Sequence, residues 1–273
     1  MRKSVLLLLI VSFAVSCFAQ TDVDLGNEFG LRLSASIDKE LTRGLHVFLD
    51  EEIRLDNNFG AFDRFHTTIG ITYRLNDYFK VGVGYALINP YSNTRGTFKN
   101  SRHRLLLDGT ARLKFGNWRL SLRERFQATY RSGDVNIYQN PRTELALKSR
   151  LKLLYNFRRV EPYAYVELRN VFNSPVVNAR YDGLTYLEPV SMQPEAEAGW
   201  FLKGYNGVRV NRIRSAVGAE YRLSQRSRID ASLLFDCTDD IVIDANKKGT
   251  KLKSYTCEKG YMTWLNVAYS YSF

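Results

Sequence analysis

The residues best suited to chemistry recur at every second position. Arg102, Arg104, Asp108, Arg112 and Lys114 share one parity. Arg119, Arg123 and Arg125 follow, then Lys148, Arg150 and Lys152. Arg212, Arg214, Glu220, Arg222, Asp230 and Asp236 repeat the pattern later. Cations at that spacing line one face of a strand and would concentrate anions beside it. The same side chains could instead pair with Glu52, Glu144, Glu167 and Glu220 and fill the space between them. Nucleophilic chemistry has thinner support. Ser101 and His103 are neighbours on one strand face, but no Gly-x-Ser-x-Gly occurs. Acyl transfer needs a nucleophile, a base and an orienting group in register, so no enzyme is expected. His46, His66 and His103 each stand alone and there is no Cys-x-x-Cys. Neither a metal nor a cofactor is expected.

Strict alternation is also the signature of the elements that carry these residues. Leu45, Val47, Leu49, Glu51, Ile53 and Leu55 alternate with His46, Phe48, Asp50, Glu52 and Arg54, and Phe65–Leu75 and Phe79–Leu87 show the same period. Period two means that one strand face meets an apolar medium and the other a polar one. Further strands read at Phe29–Leu41, Ser101–Phe115, Trp118–Tyr130, Thr143–Phe157, Val160–Asn170, Val208–Leu223, Arg226–Asp236 and Tyr261–Phe273. Most run eleven residues or more, against about 5–6 for a soluble strand and about 9–11 for a tilted membrane strand. Short turns at Thr42–Gly44, Asn76–Asp77, Gly116–Asn117, Arg158–Arg159 and Ser224–Gln225 alternate with long loops, the longest at Val171–Asn206 and Cys237–Gly260. The expected fold is all-β: an antiparallel up-and-down transmembrane barrel of about 10–12 strands. The segments number eleven, whereas single-chain bacterial barrels are usually even. Either residues 20–28 supply a twelfth strand or the N-terminus is threaded unusually.

Composition agrees. The 273 residues carry a formal charge of +11, with 17 Tyr, 16 Phe and only 6 Pro. Mean hydropathy is -0.29, too low for a bundle of membrane helices. Tyr73, Phe79, Phe115, Trp118, Tyr155, Phe157, Tyr221, Tyr269, Tyr271 and Phe273 all fall on the apolar face near the short-turn side. They would make an aromatic girdle at one membrane interface. Glu124 is the misfit: it sits on the apolar face between Leu122 and Phe126, where a bulge or another chain would have to relieve it.

Arg2 and Lys3 followed by Val5–Val15 read as a secretory signal at residues 1–19, cut before Gln20. Ala14–Cys17 offers a second reading, a lipobox with Cys17 lipidated. One barrel domain then covers residues 20–273. Export makes the bilayer of the outer membrane and the barrel assembly machinery the expected partners, and nucleic acid an unexpected one. It also makes a disulfide expected between the two remaining cysteines. A turn at Asn246–Gly249 would place Cys237 opposite Cys257 on one face of a long hairpin.

The chain resembles the bacterial domain-of-unknown-function 2490 family along its mature length. The resemblance rests on Lys39–Asn58, on Arg102–Arg104 with Lys114–Phe126, and on Asn211–Ser224. It implies an exported outer-membrane barrel and, since the family has no assigned activity, no functional residues. Two functions stay open: a narrow anion-preferring channel or uptake accessory, and a non-conducting structural or adhesive barrel. The second would bind through outer loops such as the one holding Pro175, Tyr181, Tyr186, Pro189 and Pro194.

Overall fold

Alternation of large apolar and polar side chains makes each segment a two-faced strand, and closing the sheet gives each face its own medium. A computed structural model describes residues 23–181, 184–186, 200–247 and 252–273. The signal segment with Cys17, and Pro189, Pro194 and Gly249, lie outside the described residues. The strands are β1 (Val23–Thr42), β2 (Leu45–Asp56), β3 (Ala61–Arg74), β4 (Phe79–Ser92), β5 (Thr97–Phe98), β6 (Arg102–Phe115) and β7 (Trp118–Arg131). They continue as β8 (Thr143–Tyr155), β9 (Val160–Tyr181), β10 (Leu184–Tyr186), β11 (Trp200–Arg222), β12 (Ser227–Ala245) and β13 (Leu252–Ser272). All but the short β5 and β10 form one closed ring of eleven, ordered β9-β11-β12-β13-β1-β2-β3-β4-β6-β7-β8 and sealed by β8 against β9.

The odd count has a specific resolution. Every neighbouring pair in the ring is antiparallel except β1 and β13, which run parallel from Val23/Glu258 to Asp38/Ser272. Residues 23–28 lengthen β1 rather than adding a twelfth strand. Thus β1 starts at the long-loop end and descends beside the last strand. Closure leaves the ring without a free strand edge, which is what a membrane-spanning sheet requires.

The outward face is apolar. Leu49, Ile53, Ile69, Val83, Leu107, Leu122, Leu151, Val217, Leu233 and Leu265 are all exposed. At the short-turn end stand Tyr73, Phe79, Phe115, Trp118, Phe157, Tyr221, Tyr269 and Phe273, also exposed. Trp118 packs edge-on against Tyr155 at 4.8 Å, and Tyr271 against Phe273 at 4.8 Å. Glu124 points outward with Leu122 and Phe126, and no register shift interrupts β6–β7 or β7–β8. The relief is a hydroxyl rather than a bulge: Ser149 Oγ donates to Glu124 Oε2 at 2.6 Å. Glu51 on β2 repeats the device, accepting from Thr67 Oγ1 at 2.9 Å.

Two long loops of the sequence reading are strand instead. β9 runs on to Tyr181 and returns from Trp200, so much of Val171–Asn206 is a projecting hairpin, with Pro175 opposite Tyr205. β12 and β13 likewise continue past the ring to Ala245 and Leu252. Their register corrects the expected disulfide. Cys237 lies opposite Tyr261, and Cys257 opposite Ile241. The two sulfurs are therefore four residues out of step, roughly 13 Å along the strands, beyond the ~7 Å Cα limit for a bridge. No bond joins them.

Candidate functional site: a filled lumen

Inward positions carry the charges, and the lateral registry of the strands decides which of them meet. At one level of the wall, Arg123, Arg150, Glu167, Arg214 and Asp236 lie side by side on β7, β8, β9, β11 and β12. Glu167, only 1% exposed, is the hub. Arg150 reaches it at 2.6 Å, Arg123 and Arg212 at 3.5 Å and Arg214 at 4.0 Å. Arg214 turns its fork on Asp236, donating at 2.5 and 2.6 Å, and Arg32 of β1 stands 3.5 Å from the same carboxylate. A planar guanidinium is the side chain suited to such two-point contacts.

Smaller clusters flank this row. Arg125 grips Asp108 at 2.6 and 2.8 Å. Arg222 and Arg119 share Glu161 at 2.7 and 3.4 Å. Lys152 and Arg228 share Glu220 at 2.7 and 3.7 Å. Arg169 and Arg131 converge on Glu144. Arg104 donates to Thr129 Oγ1 at 2.9 Å. Arg102 faces inward at the start of β6, and Arg112 lies near the opposite mouth.

Apolar and aromatic side chains occupy much of the remaining space. Leu154, Tyr163, Tyr165, Ala216, Leu234 and Trp264 form a buried apolar cluster inside the barrel. The cations lie on its rings: Arg32 over Trp264 at 4.3 Å, Arg150 over Tyr165 at 4.2 Å and Lys152 over Tyr163 at 3.6 Å. Tyr163 Oη donates to Asp230 at 2.7 Å. The signal was parity, since Tyr163 and Tyr165 alternate in step with Glu161 and Glu167. Inner glycines make room. A Cβ on Gly70 would meet the Phe48 ring at 2.6 Å, and one on Gly30 the Trp264 ring at 2.5 Å. A central cavity of about 250 Å³ lies among these side chains. A second cavity of about 470 Å³ lies at the short-turn mouth.

The other candidate chemistry is not assembled. Ser101 donates to Asn89 at 2.6 Å, while His103 bonds Tyr85 on the outer face at 2.5 Å. His46 meets Asp38 at 2.8 Å, and His66 lies 3.7 Å from Glu52. Among the described residues no group of His, Cys, Asp and Glu has the makings of a metal site.

At the long-loop end the β7–β8 loop reaches past the β9–β11 hairpin to the β12–β13 hairpin. Asn136 donates to the Ala245 carbonyl at 2.8 Å and Gln139 to Asp244 at 2.7 Å. Tyr205 donates to the Ile137 carbonyl. Lys247 lies 2.6 Å from Asp134, and its hydrogen bond and charge hold that carboxyl below the ordinary range. A lowered carboxyl pKa stabilises above the carboxylate range and is lost as pH falls through the lowered value. Amide protection factors at residues 134–139 are therefore expected to drop on acidification below about pH 4. Lys247→Gln should lower them at neutral pH and flatten that response; equal protection in both proteins would show that the pair does not hold the loop.

Comparison with known proteins adds a family. The profile described as "Protein of unknown function (DUF2490)" matches residues 29–185, more than half of the chain. The chain belongs to the DUF2490 family. No curated protein matches this DUF2490 member. Among solved structures it is similar to the outer-membrane expressed OmpT of Vibrio cholerae, at 9% identity and a TM-score of 0.34. The match covers 78% of this chain and 60% of that one.

Proposed function

We propose that this DUF2490 member is a non-conducting barrel of the bacterial outer membrane, a scaffold that presents its long-loop hairpins to a partner. It reaches that membrane by a cleaved signal at residues 1–19 and the barrel assembly machinery, and it performs no catalysis. The observation that carries this reading is Glu167, buried at the centre and shared by Arg150, Arg123, Arg212 and Arg214. An arginine-lined pore needs cations free to meet passing anions. Here those cations are spent on carboxylates of the chain, over a lumen already packed with Tyr163, Tyr165 and Trp264. Eleven strands enclose only a narrow interior to begin with. Purified protein in planar bilayers is expected to show no steady conductance. Sustained anion-selective steps would overturn the proposal and restore the channel. Recovery of the mature protein from the soluble periplasm would overturn its membrane placement.

A further inference from the structure

The cavity at the short-turn mouth gathers four cations of the inner wall. Its wall carries Arg74 and Lys80 at the β3–β4 turn, and Arg112 and Lys114 at the end of β6. Arg74 lies directly opposite Lys80, and Lys114 directly opposite Arg119. Like charges directly opposed across strands destabilise a sheet. Deeper in the barrel the chain relieves two such pairs with its own carboxylates. Arg123 opposite Arg150 is bridged by Glu167. Arg54 opposite Arg64 is relieved by Glu52 and Asp63, each at 2.5 Å.

At the mouth that remedy stops. Arg119 leans away to Glu161. Among the described residues, no carboxylate comes within ion-pair distance of Arg74, Lys80, Arg112 or Lys114. Of the two acids that line the cavity, Glu220 is already taken by Lys152 at 2.7 Å and Arg228 at 3.7 Å, and Asp77 makes no ion pair with the four cations. The cavity's volume of about 470 Å³ falls within the range of small-molecule sites.

We infer that the short-turn mouth is a binding site for a phosphate-bearing anion of two or more charges, held by Arg74, Lys80, Arg112 and Lys114. Two guanidinium groups supply planar two-point contacts to phosphate oxygens, and two ammonium groups supply compact charge. The ligand would neutralise the opposed pairs that the chain leaves uncompensated. This binding is independent of whether the barrel conducts, so bilayer recordings and titration fail separately.

The test is calorimetric titration of pyrophosphate into the full-length mature barrel in detergent. Saturable binding that weakens as salt is raised is expected. Arg112→Gln with Lys114→Gln should weaken it at least tenfold, while Arg95→Gln in the β4–β5 turn should change it less than twofold. Heat-modifiable migration confirms that each variant is still a closed barrel. Absence of saturable heat, or equal affinity in the double variant, would overturn the site. Repeating the titration in nanodiscs identifies the source. Loss of pyrophosphate binding on adding phosphatidylglycerol to phosphatidylcholine assigns the site to a lipid headgroup, and retention assigns it to a soluble anion.

Discussion

Replacing Glu167 with alanine is expected to cost the barrel about 3–5 kcal/mol, more than any other single carboxylate. The reason is not that four ion pairs disappear, since a buried pair barely repays its own desolvation. The cost comes from what remains. Arg150, Arg123, Arg212 and Arg214 would stay crowded in the lumen with their shared anion gone. Arg214 still has Asp236, so Arg150, Arg123 and Arg212 bear most of the loss. Glu167→Gln should be nearly as costly, because it keeps an acceptor for Arg150 but removes the charge. Adding Arg150→Met to Glu167→Gln should recover part of the stability, since residues in one network are not additive. Asp134→Asn, at the exposed pair with Lys247, should change little by comparison. Denaturant midpoints of the detergent-solubilised variants, followed by heat-modifiable migration, measure all four. An unchanged midpoint for Glu167→Ala would mean that the lumen is wet enough to solvate the cations, and would reopen the pore.

Particular residues show why some of this was legible in the sequence and some was not. Alternation assigns Arg123, Arg125 and Arg150 to the inner wall and Leu122 and Leu151 to the outer one, because parity alone decides the face. It is silent on lateral partners. Glu167 is only one of several candidate acids in the sequence; the register of β8, β9 and β11 makes it the hub. The disulfide failed for a related reason. Moving a hairpin centre by two residues shifts every opposed pair by four and leaves each side chain on its original face. Cys237 and Cys257 keep matching parity under either register, so the pattern that predicted their pairing could not detect the slip. The β9 extension was missed because Asn173, Ser174 and Pro175 read as a loop. Proline is tolerated there because β9 has by then left β8, whose last partner is Val171. The parallel seam was visible only as an awkward odd count, because β1 and β13 are more than two hundred residues apart in the chain.

That seam yields the second large effect. Trp264→Ala should destabilise the barrel by about 3–5 kcal/mol, as truncation of a buried tryptophan does. Trp264 lies on β13 opposite Gly30 of β1, is 5% exposed, and belongs to the apolar cluster inside the lumen. Its ring fills the space that a Cβ on Gly30 would occupy and carries the guanidinium of Arg32 on its face. Arg32 in turn reaches Asp236, so the ring couples the seam to the central charge row. Among the described residues the indole Nε1 has no hydrogen-bond partner, so the ring acts through packing and its π face. Trp264→Phe should therefore cost much less than alanine, because it keeps a ring against Gly30 and Arg32. Gly30→Val approaches the seam from the other side and should also be costly. The added atoms meet the Leu55 carbonyl at 2.9 Å as well as the ring, and a backbone oxygen of β2 cannot swing away. Denaturant midpoints rank the three variants. If Trp264→Phe proved as damaging as Trp264→Ala, the indole N–H would have to be bonded, and packing would not be what holds the parallel pair closed.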